Sequence, residues 1–393
     1  MTRDLFIAAP ARTPIGRYGG SLATVPAVDL GIAAVHGVLA RAGISADAVD
    51  QLVFGHARQA GCGPNAARQV SVRAGIPVER PAYAINQACL SGLQAILAAA
   101  RAIALGEAEA VVAGGMESMS RVPYLLPGVR WGHRMGHQEI VYAMSRDGFL
   151  DPLSGKIMGE TAETLAERYR IPSEEQDAYA ALSQNRCEAA RKAGRFAAEI
   201  VPVTVTQGKT SATVATDEHP RDGVDASALA KLSPVFSKNG TVTAGNSSGI
   251  TDGAAAVLVL SGAAAARLGV TPSARIVGYR VDGVAPEIMG IGPVPAVRHV
   301  LDATGVSLSA IDLVELNEAF AAQVLAVDRE LRFDRDRLNV NGGAIALGHP
   351  IGCSGARIVV TLLSEMARRG ARLGLATLCV SGGMGGALLV ERA

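Results

Sequence analysis

A duplicated segment constrains this chain more than any other feature. Residues Ala34 to Gly55 (AVHGVLARAGISADAVDQLVFG) align without a gap on Ala296 to Asn317 (AVRHVLDATGVSLSAIDLVELN), 262 residues further on. Ala34/Ala296, Val35/Val297, Val38/Val300, Leu39/Leu301, Gly43/Gly305, Ser45/Ser307, Ala48/Ala310 and Asp50/Asp312 are identical. Each copy carries apolar residues at helical spacing, then a glycine suited to a helix C-cap, then a short apolar run of strand character. Two helix-then-strand units of common origin are predicted.

The correspondence continues downstream. Cys89-Leu-Ser-Gly opens a predicted helix ending near Gly106, followed by a strand Glu109 to Ala113 and by Gly114-Gly115-Met116. Cys353-Ser-Gly opens the matching helix ending near Gly370, followed by Leu373 to Cys379 and Gly382-Gly383-Met384. Helices alternating with short Val/Ile/Leu/Ala strands predict an α/β fold in which helices cover a mixed sheet in each half. In the second half Gly-Gly-Met runs directly into a closing strand, Gly385 to Glu391, whereas in the first the comparable strand, Gly253 to Leu260, arrives about 130 residues later. The expected division is therefore 1–118 with 249–273 as the first half, 119–248 as an inserted subdomain, and 274–393 as the second half.

Composition narrows the classes of partner. The 393 residues exceed what one core accommodates. The formal charge of +1 provides no global field for nucleic acid or an anionic membrane, so neither is expected as a partner. The longest weakly polar run, Ala254 to Ala266, is shorter than the ~20 residues of a membrane span. The apolar stretch before Pro10 is too short for a signal segment and reads as a first buried strand. Five cysteines (Cys62, Cys89, Cys187, Cys353, Cys379) without a C-x-x-C pair indicate neither a disulfide framework nor a metal site. A reducing cytoplasm is the expected setting.

The insertion has its own composition: all five lysines (Lys156, Lys192, Lys209, Lys231, Lys238) and eight of the 15 aromatic residues lie in it. Two readings stand side by side, a solvated exposed insertion and a lid that meets an anionic ligand carrying a flat ring.

Several residues have the types and positions that acyl chemistry requires. Cys89 lies between a strand-like run, Tyr83 to Asn86, and a helix start, where free N–H groups and the helix dipole stabilise a thiolate. It is either a nucleophile or a small residue buried at a tight junction. His349, between Gly348 and Pro350, precedes the matching helix of the second half. A pseudo-twofold relation would bring it toward Cys89 as the base of an activated nucleophile. Cys379 enters Ser381-Gly-Gly-Met-Gly-Gly, a run suited to close substrate approach and to an oxyanion hole, and a second thiol here suits acid/base work. Asn317 ends the repeated strand, either to position a water or an oxyanion or to cap a helix. Cys62 and Cys187 read as structural, and no role is assigned to Cys353.

These residues belong to stretches that resemble the thiolase family. The stretches are Cys89-Leu-Ser-Gly, Gly114-Gly-Met-Glu-Ser-Met-Ser120, Gly245-Asn-Ser-Ser-Gly-Ile, Asn317-Glu-Ala-Phe-Ala-Ala-Gln323, Asn341-Gly-Gly-Ala-Ile-Ala-Leu-Gly-His-Pro350 and Cys379 with its glycines. The resemblance spans the chain in the family order. It implies two stacked halves in α-β-α-β-α layers with an inserted loop domain that faces coenzyme A and takes part in oligomerisation, and a homotetramer built as a dimer of dimers. The implied reaction is reversible thiolytic cleavage of a 3-oxoacyl-CoA to acetyl-CoA and acyl-CoA, a Claisen condensation in reverse, with no permanently bound cofactor. By resemblance Cys89 is the acylated nucleophile, His349 its base, Cys379 the acid/base at the acetyl α-carbon, and Asn317 a holder of the water at the enolate oxygen. The N–H groups of Cys89 and Ser381 would form the other oxyanion site. Arg221, Leu232, Ala244, Ser248, Met158, Met289 and Phe320 would line the path of CoA and its pantetheine.

Two positions depart from the family pattern: Ser381 stands where a glycine is common, and Ile157-Met158-Gly159 stands where short-chain members often have His-Met-Gly. The second points to acyl chains beyond four carbons, against restriction to acetoacetyl-CoA. A non-catalytic acyl-CoA or lipid binder would be expected to lack one of Cys89, His349 and Cys379. A decarboxylating ketoacyl synthase would lack the second cysteine. This chain has all three residues.

Overall fold

The computed structural model describes residues 4–393, so the first three residues of the expected N-terminal half lie outside the described ones. The first half runs β1 (Leu5–Arg12), α1 (Ala27–Ala42), β2 (Gln51–Gly55), β3 (Ala82–Ile85), α2 (Ser91–Leu105) and β4 (Ala110–Ser118). An insertion carrying α3 (Met158–Tyr169) and α4 (Ser173–Lys192) precedes β5 (Thr251–Ser261). The second half runs β6 (Ala274–Gly283), α5 (Pro293–Thr304), β7 (Leu313–Leu316), α6 (Ala321–Leu331), α7 (Ile351–Arg369), β8 (Leu373–Val380) and β9 (Met384–Arg392).

The duplication is visible at atomic detail. Gly43 after α1 and Gly305 after α5 both cap in the left-handed region, at φ 67° and 69°. Asp50 Oδ2 accepts the N–H groups of Glu109 and Ala110 ahead of β4, and Asp312 Oδ2 accepts those of Arg372 and Leu373 ahead of β8. The identical aspartates thus clamp the same strand start in each half. The strand order is β7-β8-β9-β6-β1-β5-β4-β2-β3; outward from the β6/β1 junction β6, β9, β8 and β7 correspond to β1, β5, β4 and β2, and β3 is an additional edge strand of the first half. That junction has only two paired positions, Phe6 with Arg275 and Ile7 with Ala274.

Period-2 alternation assigns each strand two buried faces. On β5, Ala255, Val257 and Val259 join α2 and α7 in a central apolar layer, while Ala254, Ala256, Leu258 and Leu260 face α1. On β9, Leu388 and Val390 point to the same central layer, and Ala387 and Leu389 to α5 and α6. The result is five layers, α-β-α-β-α, with α2 and α7 in the middle. Residues 88–105, which include α2, are the one segment among the described residues long and apolar enough to span a membrane, and 61% of that window is buried inside the protein. The run Ala254 to Ala266, the longest weakly polar one read from the sequence, lies instead on β5 and the short helix that follows it.

One expectation needs correction. Gly114-Gly115-Met116 does not end the strand: β4 continues through it to Ser118. The glycines serve close packing, since a Cβ on Gly115 would lie 2.0 Å from the Gly352 carbonyl oxygen of α7. The inserted segment packs against both halves: Val203 and Val205 pack with α1, and Leu165 and Tyr179 pack with α5 and α6.

Candidate active site

Glycines bring the two central helices together at their N-terminal ends. A Cβ on Gly92 would lie 2.7 Å from the Ala356 nitrogen, and one on Gly355 would lie 2.4 Å from the Leu93 nitrogen. Cys89 comes three residues before Gly92, and His349 six before Gly355, so the crossing gathers both. The turn carrying Cys89 is fixed from both sides. Ser91 Oγ donates to the Ala88 carbonyl (2.6 Å) and accepts from the Gln87 N–H (2.9 Å), while Asn86 Oδ1 accepts from the Ala88 N–H (3.1 Å). Ala88 is held at φ +45°, a conformation unfavourable for a residue with a Cβ, immediately before the cysteine.

Cys89 retains some accessible surface, whereas Cys379 has none. Burial pushes the Cys89 thiol up, and the Arg58 guanidinium and the N–H groups of Ser381 and Cys89 itself, which hydrogen-bond the sulfur, oppose this. Burial pushes the Cys379 thiol well up, and the charge of a Cys89 thiolate pushes it further, so the two sulfurs share one space. At rest Cys379 is a neutral proton donor.

His349 is fully positioned. Its N–H donates to the Gly249 carbonyl (3.0 Å), and a Cβ on the preceding Gly348, at φ +98°, would strike Thr251 at 2.2 Å. Ser354 Oγ donates to the Pro350 carbonyl (3.0 Å) and lies 2.5 Å from His349 Nδ1. With the hydroxyl proton on Pro350, Nδ1 carries the imidazole proton and Nε2 is left as a base, an assignment made from the hydrogen-bond network. That Nε2 is buried without a partner. Burial, with Arg357 and Arg58 nearby, lowers the imidazolium pKa to about 3, so the ring is neutral at physiological pH.

Asn317 also points unpartnered polar atoms at the interior: both Oδ1 and Nδ2 are buried without a protein partner. The helix-cap alternative is excluded, because α6 begins only at Ala321 with Phe320 at its cap. Buried orphan groups on Asn317 and His349 are what a substrate oxygen or an ordered water would satisfy.

Of the residues expected along the CoA path, Met158, Met289 and Phe320 share one apolar cluster with Cys379 and Phe236. Ser248 donates its N–H to the Ala319 carbonyl, which ties it to the Asn317 loop. Leu232 packs on Gly245, the neighbour of Ala244. Arg221 is exposed, and its charge is felt by His219. Two of the lysines are engaged locally: Lys156 donates to Thr164 Oγ1 and Lys192 pairs with Glu188. A cavity of about 690 Å³ along α3, lined by Lys156, Glu163, Arg170 and Phe236 among others, contains none of the four reactive side chains. Phe236 separates it from the Cys379 cluster. Cys353 and Cys187 are buried, and Cys62 is half-buried.

Residue-by-residue reading missed the carboxylates that hold the site. Glu318 accepts from Tyr179 Oη, Ser183 Oγ, Asn339 Nδ2 and the Ile345 N–H, joining the insertion to the loop that leads to His349. Glu117 accepts from the N–H groups of Ala57, Arg58 and Gly352, the last in the first turn of α7. Glu318→Ala removes the acceptor of Tyr179 Oη, Ser183 Oγ and the Ile345 N–H, while Asn339 Nδ2 keeps the Leu316 carbonyl, and it is expected to lower stability by about 3 kcal/mol or more. Urea unfolding monitored by circular dichroism measures this; a loss below about 1 kcal/mol would show that the network does not hold the loop.

The chain matches the family models for the thiolase N-terminal domain over residues 5–263 and the thiolase C-terminal domain over residues 270–392. It is 53% identical to an acetyl-CoA acetyltransferase of Pseudomonas aeruginosa over 391 residues, covering 99% of this chain and 100% of the relative. Among solved structures, it resembles the Bacillus anthracis acetyl-CoA acetyltransferase, with a TM-score of 0.98, 46% identity and coverage of 100% and 99%. It also resembles human mitochondrial 3-ketoacyl-CoA thiolase in complex with CoA, with a TM-score of 0.96, 44% identity and coverage of 100% and 98%.

Proposed function

The chain belongs to the thiolase family of acyltransferases, and from that premise we propose that it interconverts a 3-oxoacyl-CoA plus CoA with acetyl-CoA plus acyl-CoA through an acyl group on Cys89. One set of observations supports this reading: Cys89 is held in a turn ahead of α2, its charge is felt by the buried, neutral Cys379 thiol, and His349 and Asn317 keep buried polar atoms that no protein group satisfies.

His349 Nε2 takes the Cys89 proton as the sulfur attacks the ketone carbon. The developing oxyanion falls to the N–H groups of Cys89 and Ser381. Ser381 keeps its N–H despite its side chain, and that N–H already faces the Cys89 sulfur. The carbon–carbon bond breaks and leaves an acetyl-CoA enolate, whose oxygen is met by His349 and, through a water, by Asn317. The Cys379 thiol protonates the enolate carbon. The thiol of a second CoA then gives its proton to the Cys379 thiolate and takes the acyl group from Cys89; the Cys89 thiolate so released takes back the proton held on His349, which restores both cysteines and the base.

CoA is read as a substrate, with no permanently bound cofactor; it enters along Arg221, Leu232, Ala244 and Ser248 toward Met158, Met289 and Phe320. Membership of fatty-acid metabolism follows from that substrate class. A homotetramer is supported by the exposed apolar residues of the insertion, including Trp131 at 87% and Met135 at 90%, which an assembly would cover. A cytoplasmic location is supported by five free cysteines.

Incubation with acetoacetyl-CoA and CoA, followed by loss of the enolate absorbance, tests the reaction; no loss would leave a non-catalytic acyl-CoA binder. The same assay on longer substrates tests chain length. Ile157 supplies apolar lining where a histidine would supply a polar anchor, and each extra buried CH₂ is worth about 0.8 kcal/mol where there is room. About two such groups offset a lost hydrogen bond of about 1 kcal/mol. The kcat/KM for 3-oxohexanoyl-CoA is therefore expected within about a hundredfold of that for acetoacetyl-CoA. A larger gap would mean that Phe149, which packs beside Cys89, closes the pocket.

A further inference from the structure

A buried arginine without a counter-ion lies beside the nucleophile. Arg58 follows β2 and is 8% exposed. Its Nη2 donates to the Gly148 carbonyl at 2.9 Å, and its Nε is buried without a partner. Among the described residues it forms no ion pair. Glu117, the carboxylate that fixes this loop, commits its oxygens to the main-chain N–H groups of Ala57, Arg58 and Gly352. The loop is in turn joined to the nucleophile's turn. Ala57 packs in one apolar cluster with Cys89 and Phe149, and Asn86 Nδ2 donates to the Ala57 carbonyl at 3.3 Å. A buried cation with no anion is unfavourable unless the site supplies one.

We propose that Arg58 is a positioning residue for the nucleophile, its uncompensated charge being neutralised by the Cys89 thiolate as that anion forms. The direction agrees with the electrostatics, since the guanidinium pulls the Cys89 thiol down against burial and disfavours a protonated His349. The other groups around the sulfur act differently. Glu117 on β4 opposes the thiolate, Cys379 on β8 and His349 are neutral at rest, Arg357 on α7 acts on His349, and buried His56 pairs with Glu117. Arg58 is thus the cation that acts on both members of the pair. The inference rests on the reading of Cys89 as the nucleophile.

The test is the pH dependence of Cys89 carboxamidomethylation by iodoacetamide, read at that residue by peptide mass spectrometry because Cys62 is also half-open. Arg58→Gln keeps a donor for the Gly148 carbonyl but removes the charge; it is expected to raise the midpoint by about one unit and slow the reaction at neutral pH about tenfold. Arg58→Lys keeps the charge and is expected to stay within a few-fold of wild type. Gly148→Ala would place a Cβ 2.6 Å from Arg58 Nε and push the guanidinium aside, with a shift of the same sign and smaller size. An unchanged midpoint in folded Arg58→Gln, or in Gly148→Ala should the first not fold, overturns the proposal. So does an equal shift in Arg58→Lys and Arg58→Gln, the result of a purely structural mooring. Alkylation needs no turnover, so absence of thiolysis in the wild type would strike the proposed function and leave this result standing.

Discussion

Cys89→Ala is expected to abolish acyl-enzyme formation and to lower turnover by on the order of 10⁴-fold or more, because the site's other thiol, Cys379, is fully buried and held neutral by that burial. The substitution is structurally mild. The turn is held by Ser91 and Asn86 rather than by the sulfur, and the Cys89 N–H stays in place. Stability should therefore change by about 1 kcal/mol at most, so the loss is chemical. Labelling with radioactive acetyl-CoA followed by peptide mapping measures it directly. Wild type should carry label on the Cys89 peptide and the variant none. Label persisting in the variant, on Cys379 or Cys62, would reassign the nucleophile.

What could be read in the chain, and what could not, divides along sequence distance. The repeat was legible because identical residues recur at one offset of 262, and Gly43 and Gly305 cap their own helices; what Asp50 and Asp312 hold, main-chain N–H groups 59 to 61 residues further on, was not. The expectation that His349 lies toward Cys89 came from the repeat, and the structure places the two residues two positions ahead of α2 and α7 respectively. Glu318 and Glu117 were invisible as positioning residues because their donors come from residues 179, 183, 339 and 345 in one case and 57, 58 and 352 in the other. Nothing in local spacing predicts such a network. Gly114 and Gly115 misled for the opposite reason. Glycine is commonly a strand breaker, but here the packing of α7 against β4 leaves no space for a Cβ. The insertion's distinct composition likewise did not indicate which of its residues, such as Val203, Val205, Leu165 and Tyr179, pack against the two halves.

Cys379→Ala is expected to separate the two thiols. Since Cys379 does not form the thioester, the variant should still be labelled by acetyl-CoA on Cys89, while thiolysis and condensation fall by about 10²–10⁴-fold, the range for loss of a positioned acid/base. The structure explains why no neighbour replaces it. Cys379 is enclosed by Met158, Met289, Ala319, Phe320 and Phe236, none of which can hold a proton, and His349 is assigned to the Cys89 proton and the enolate oxygen instead. The alanine loses one buried sulfur from a packed cluster, a change of about 1–2 kcal/mol in stability, too small to unfold the protein. Exchange of the acetyl-CoA methyl protons with deuterated water distinguishes this role from general damage. Wild type should incorporate deuterium through the Cys379 shuttle, and the variant should not, although it remains acylated. Near-native condensation or exchange in Cys379→Ala would mean that another group moves the α-proton and that the two-cysteine division of labour is wrong.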